Sequence, residues 1–395
     1  SSILLAADMG ISDDLTIASG TSIVSAVDQT YDLSLTAKNA SNTNNSVSIS
    51  VQNNSASNVS GDLSGGITLT SFNSATLTNN DTDAAAYVGA ISASGTDFTI
   101  ASGTQGFIES STIAIGSGTL YISGTGPVNL GTQVTATQVS AASSSGIITI
   151  GLAGAATVGS VITGSGADVI TLNGARTSGD YTITTNGGND SLTLTSVEGF
   201  TWTAETGYDT LNLNSTMDLS GQSITLSSVD AIQLDTSGDG AETLTLSAAT
   251  FNTNNTFTLL GNGTMDYLVV EGSSSADTIN ASGVAVELSE AGLRINGYAG
   301  NDIITGSDFA DTLYGGAGID TIAGGNYGDT YLFYADDVGN GESIVEASNG
   351  SGVDTFSILT NTDFSYMTAA SFDNIEAITM ASGISGIFTG LQLTG

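Results

Sequence analysis

Residues 297–332 read GYAGNDIIT, GSDFADTLY, GGAGIDTIA, GGNYGDTYL: four consecutive nonapeptides, each with glycine first and aspartate sixth, and an aliphatic residue eighth in all but the last. A fixed period is read before any local propensity, because repeated units stack instead of packing as independent elements. In the third unit, Gly315, Gly316 and Gly318 permit a sharp turn that aims several carbonyl oxygens at one spot, and Asp320 adds a carboxylate. Ile322, between Thr321 and Ala323, then reads as the inward residue of a short strand. Two units, 18 residues, close one flattened coil, so Asp302 stacks on Asp320 along one edge and Asp311 on Asp329 along the other. At the ordinary strand spacing of about 4.8 Å, stacked carboxylates repel unless a cation lies between them. Hard oxygen donors on a flexible loop suit calcium better than any softer metal. The competing reading is of plain Gly-Asp turns in a β-rich chain.

These units resemble the glycine-rich nonapeptides of the RTX (repeats-in-toxin) family, GGxGxDxUx with U apolar. That family forms calcium-loaded parallel β-rolls in proteins exported by type I secretion. The resemblance implies calcium ligands at Asp302, Asp311, Asp320 and Asp329, with carbonyls at Gly297, Gly300, Gly306, Gly315, Gly316, Gly318, Gly324 and Gly325. Asp308, third in its unit, adds a further carboxylate. The pattern departs at Phe309 and Tyr327, which stand where the fourth-position glycine belongs.

The 395 residues carry 39 acids against three bases (Lys38, Arg176, Arg294), no histidine and no cysteine, for a net charge of −36. Such a chain lacks the basic patch of a nucleic-acid binder and is repelled by anionic lipid. Disorder is the usual reading of so high a charge, but 39% hydrophobic residues with abundant Val, Ile, Leu and Thr argue for strands. Absent cysteine fits a secreted bacterial protein braced by metal instead of disulfides. Absent His and Cys also remove the usual ligands of zinc and the usual catalytic triads. No apolar run is long enough for a membrane helix, and no signal peptide opens the chain. Its start at Ser1 reads as that of a processed or proteolysed piece of something longer.

From residue 1 to about 155 the chain is rich in Ser, Thr, Asn, Gly and Ala, with short alternating runs such as YDLSLTA, VSISVQ and IITIGL. This region is expected to be β-rich, either a sandwich or an irregular solenoid. Over 156–395 a second theme recurs, an acid, one residue and an apolar strand: GADVITL (Asp168), GNDSLTL (Asp190), GYDTLNL (Asp209), SADTINA (Asp277) and GVDTFSI (Asp354). These are degenerate copies of the nonapeptide, and their acids, each following glycine or a small residue, are further candidate calcium ligands. A second type of strand opening, at Glu198, Asp230 and Glu376, lacks the preceding glycines and resembles the VExLxL strands of large RTX proteins. The expected fold is all-β, a parallel β-solenoid with a regular calcium-bearing roll at 297–332.

Within that resemblance the composition is closest to bacterial surface-layer proteins. It implies a structural protein, not an enzyme, on the extracellular bacterial surface, holding several calcium ions. Its partners would be copies of itself, with cell-surface polysaccharide or lipopolysaccharide beside them. The other function carried forward is an adhesin or extracellular filament module that binds glycans or host surfaces.

Overall fold

The computed structural model describes residues 2–5, 14–25, 33–51, 63–80, 84–109, 112–131, 134–153, 158–174, 179–196, 199–234, 241–261, 266–287, 291–335, 337–346, 352–390 and 392; Arg176 and Glu198 lie outside them. The chain forms two compact units, Ser1–Asp209 and Thr210–Gly395. The composition change near residue 155 falls inside the first of them.

In the first unit the described strands pair in parallel, each with strands roughly one coil earlier and later, which is the winding of a solenoid and not of a sandwich. Thr21–Ser25 pairs with Ser46–Val51, which pairs with Ser74–Asn79, and the series continues through Asp97–Ala101 and Thr119–Gly124. Period-two alternation turns every second residue inward, so Ile23, Ile49, Leu77, Ile100 and Ile122 meet in register as one buried row. A neighbouring row runs Phe98, Leu120, Val139, Val161, Ile183, Trp202, all buried. Each such side chain contributes about 1.5–3 kcal/mol of burial, the main term holding a chain of such high charge together. The indole of Trp202 donates to Thr185 Oγ1 at 3.2 Å, so its one polar atom is satisfied inside the row.

The second unit is also a parallel coil, carrying an eight-stranded and a four-stranded sheet whose inner rows are both buried. One inner row is Val270, Ile295, Leu313, Tyr331, Phe356. The other is Ile279, Ile304, Ile322, Ile344. The eighth residues of the four nonapeptides therefore fill the core from alternate sides. Arg294 lies over the ring of Tyr267, 3.5 Å from its centroid. Toward the C-terminus Phe333, Phe356, Phe364, Phe372 and Phe388 pack against one another and cover the last coils, with Phe364 and Phe388 stacked at 5.0 Å. Among the described residues the only α-helix is the single turn Ala248–Phe251, and no helix is long and apolar enough to cross a membrane.

Candidate metal centre

The acids that open the strands form ladders. Along one edge of the second unit Asp302 Oδ1 accepts the Asp277 N–H, Asp320 Oδ1 that of Asp302, and Glu342 Oε2 that of Asp320, each at 2.8 Å. Along the other edge Asp329 Oδ1 accepts the Asp311 N–H at 2.8 Å, Asp354 Oδ1 that of Asp329 at 2.7 Å, and Glu376 Oε2 that of Asp354 at 2.8 Å. The first unit repeats the device: Asp168, Asp190 and Asp209 accept the amides of Ile148, Asp168 and Asp190 at 2.7–2.8 Å. Asp266 does the same for Glu242 at 2.8 Å. Each acid thus satisfies a strand-opening amide one coil back, an amide that would otherwise be buried unpaired.

In each accepting acid one oxygen is spent this way, and what meets the second carboxylate oxygen divides the loops. Asp168, Asp190, Asp302, Asp320 and Asp329 are no more than 2% exposed, and the Oδ2 of each is buried with no hydrogen-bond partner. In the loops of Asp277 and Asp311 that oxygen is taken. Ser307 N and Oγ reach Asp311 Oδ2 at 2.5 and 3.1 Å, and Ser273 N and Oγ reach Asp277 Oδ2 at 2.6 and 2.9 Å. The difference lies at the second position of the loop, which is serine in these two and Tyr298, Gly316 and Gly325 in the loops of Asp302, Asp320 and Asp329.

The first glycine of each nonapeptide is fixed by this same carboxylate. A Cβ on Gly297 would lie 2.5 Å from Asp302 Oδ2, on Gly315 2.5 Å from Asp320 Oδ2, and on Gly306 2.6 Å from Asp311 Oδ2. Backbone of the adjoining coil closes the other side. The Gly315 carbonyl is 2.4 Å from that point above Gly297, the Gly324 carbonyl 2.2 Å from that above Gly306, and the Gly300 carbonyl 1.6 Å from that above Gly318. Glycine carbonyls and acid side chains are therefore brought together coil on coil. Asp308 is placed apart, exposed and accepting from Asn326 Nδ2 at 2.7 Å. Phe309 and Tyr327, the two departures from glycine, lie one coil apart and stack at 5.8 Å with ring planes 6° apart.

Burial without countercharge pushes these carboxyls up: Asp190 and Asp320 to about 6, Asp311 to about 7, and Asp329 and Glu342 to about 8. The same cause raises Asp168, Asp302 and Asp354. Neighbouring acids of the stack add to the shift at Asp190, Asp302, Asp320, Asp329, Glu342 and Asp354. Asp329, Glu346 and Asp354 place carboxylate oxygens within 4.8 Å of one another, close enough to share one metal ion. A cation is the natural partner of such oxygens: it would relieve the burial penalty, and it needs the side-chain-free cradle that the first glycine provides.

Sequence reading placed the aspartates but missed Glu342, Glu346 and Tyr331, and the serines that close the loops of Asp277 and Asp311. Glu376, read as a different type of strand opening, belongs to the ladder. For Glu342 and Glu376 a usable signal exists, since both precede an isoleucine by two positions (Ile344, Ile378), as Asp320 precedes Ile322, although Ile378 is exposed where Ile344 is buried.

The fold and site define a parallel β-solenoid whose strand openings carry stacked, buried acids. No protein-family model matches the chain, and comparison with curated proteins and with solved structures finds no match either.

Proposed function

We propose that the chain is a calcium-dependent structural protein of the bacterial cell exterior that assembles with copies of itself into a surface layer. The observation that carries this reading is the set of buried carboxylate oxygens left without a partner at Asp168, Asp190, Asp302, Asp320 and Asp329. Asp302, Asp320 and Asp329 hold theirs over the loop glycines, where calcium would supply the missing positive charge. At the low calcium of a cytosol the ionised stacks resist folding, and at millimolar external calcium binding and folding are coupled. Calcium at 100 times its dissociation constant adds about 2.7 kcal/mol per site. Lattice formation draws support from strand faces rich in Ser and Thr, and with a net charge of −36 it requires cations such as calcium between copies. The reading is structural and not catalytic, given a chain without His or Cys.

The test is the full chain with calcium and after chelation at neutral pH, followed by far-UV dichroism, light scattering and electron microscopy. Calcium is expected to induce β-structure and two-dimensional sheets; a dichroism spectrum and particle size indifferent to chelation would sink the proposal. An adhesin that binds glycans is the second reading. In its favour stands a shallow groove of about 360 Å³ on the outer sheet face, lined by Tyr298, Tyr314, Tyr334 and Asn296. Calcium-loaded monomers or fibres that bind a glycan array, with no sheets, would select it.

A further inference from the structure

The last nonapeptide breaks the pattern at its eighth residue, and the coil after it breaks the pattern again at the same point. That eighth residue is Tyr331 where the other three units have Ile304, Leu313 and Ile322. Tyr331 is fully buried in the inner row, its ring edge-on to Phe356 at 5.8 Å, yet its hydroxyl has no hydrogen-bond partner. Burying a phenol hydroxyl in an apolar row without a partner is costly, so the atom marks a place where something polar belongs.

That place lies over Gly324. A Cβ there would be 2.2 Å from Tyr331 Oη, 2.3 Å from Asp329 Oδ2 and 2.3 Å from Glu346 Oε1. The equivalent point over Gly315 has Asp320 Oδ2 at 2.5 Å but the methyl Ile322 Cδ1 at 3.0 Å. An aliphatic side chain closes the regular loop where a phenol oxygen opens this one. The register explains Glu346. Thr305 pairs with Ala323 and Ala323 with Val345, so Glu346 occupies the station held by Gly306 and Gly324 in the two preceding coils. Where the coil before offers a glycine carbonyl, this coil offers a carboxylate. Asp354, one coil beyond Asp329 in the ladder, completes a triad of carboxylate oxygens within 4.8 Å.

We propose that at the Gly324 loop Tyr331, Glu346 and Asp354 join Asp329 in one all-oxygen site for a calcium-sized divalent cation that closes the stacked loops where the nonapeptide pattern ends. Three carboxylates and a phenol oxygen are hard donors of the kind calcium prefers, and the charge of the triad demands a divalent partner. The site differs from those of the regular loops in taking its ligands from side chains of a strand and of the following coil instead of from loop glycine carbonyls. It rests on the proposed reading only in that the chain must meet millimolar calcium.

The experiment is calcium binding to the full chain and to Tyr331→Phe and Glu346→Gln, by calorimetric titration and equilibrium dialysis, with thermal melts in calcium and in metal-free buffer. Glu346→Gln is expected to bind one ion fewer. Tyr331→Phe, which keeps the ring packing, is expected to hold one ion about tenfold more weakly and to melt no lower than the parent when metal-free. Variants that match the parent in number and affinity of ions would overturn this site while leaving the roll reading intact. A Tyr331→Phe melt lowered equally with and without calcium would overturn it too, since the hydroxyl would then serve a hydrogen bond alone. A parent chain that takes up no calcium refutes both readings together.

Discussion

If calcium stabilises the chain as proposed, lowering the pH of the metal-free chain is predicted to restore stability that the metal would supply. The sign follows from the direction of the shifts. Asp311 stands at about 7, Asp329 and Glu342 at about 8, and Asp190 and Asp320 at about 6, all above the ordinary 3.8–4.5 they regain on unfolding. Between those limits the folded chain holds protons that the unfolded chain releases, so stability is present below the ordinary carboxylate range and is lost as pH rises through the folded values. Each group in transition contributes about 1.4 kcal/mol per pH unit. Between pH 5 and 6 the three highest, Asp311, Asp329 and Glu342, together give a fall of up to about 4 kcal/mol, against a total stability of about 5–15 kcal/mol for a typical domain. Calcium has the opposite dependence, because it requires the ionised forms. The assay is urea unfolding followed by dichroism at pH 5, 6, 7 and 8, in metal-free buffer and in calcium. About 1 M salt shortens the screening length to about 3 Å, which removes the contribution of the overall charge while leaving the buried ladders. Metal-free stability that is flat or rising from pH 5 to 8 would refute the argument.

Two further outcomes follow from the same geometry. Asp320→Asn keeps an oxygen for the Asp302 amide and deletes the buried charge; since burial moves Asp320 from 3.8 to about 6, the variant should stabilise the metal-free chain at pH 8 by about 2–3 kcal/mol. The same variant should lower calcium affinity, and a single sign of effect in both conditions, read by urea unfolding, would argue against a cation at that oxygen. Gly315→Ala sets a Cβ 2.5 Å from Asp320 Oδ2 and 3.0 Å from Ile322 Cδ1 and should cost about 3 kcal/mol or more by thermal melting, whereas Gly221→Ala, which meets nothing within 4 Å, should cost almost nothing.

The nine-residue period made the roll legible, because a strict repeat states both the strand and its partner: Ile304 and Ile322 are 18 residues apart and pair in register. Outside it the alternation announces strands without saying what they pair with. Ile23, Ile49, Leu77 and Ile100 form one row, yet the spacings between them are irregular, so a sandwich and a solenoid read alike until the parallel register is seen. Loop length hid the rest. Glu342 lies 22 residues beyond Asp320 and Asp354 lies 25 beyond Asp329, too far off the period for the repeat to show that they stack. The serines were illegible for a different reason. At the second position of a turn Ser reads as merely small, and only the folded loop shows Ser307 closing the Asp311 carboxylate, where Gly316 leaves that of Asp320 open.

The two oxygens of each ladder carboxylate have separable roles, and this bears on why the position is aspartate at all. Accepting the amide one coil back requires one side-chain oxygen, which asparagine would provide without a buried charge and without raising a pKa. Ionised aspartate at such a site costs stability at neutral pH unless its second oxygen is met by donors or by a cation. In the loops of Asp277 and Asp311 a serine side chain and amide meet it. At Asp302, Asp320 and Asp329 no donor of the chain does, and at Asp168 and Asp190 only the nearby Thr163 and Thr185 hydroxyls bear on the carboxylate. Were the ladders only a means of capping strand amides, those five would be the positions where asparagine serves better. Aspartate at those positions is what the proposed cation sites would require.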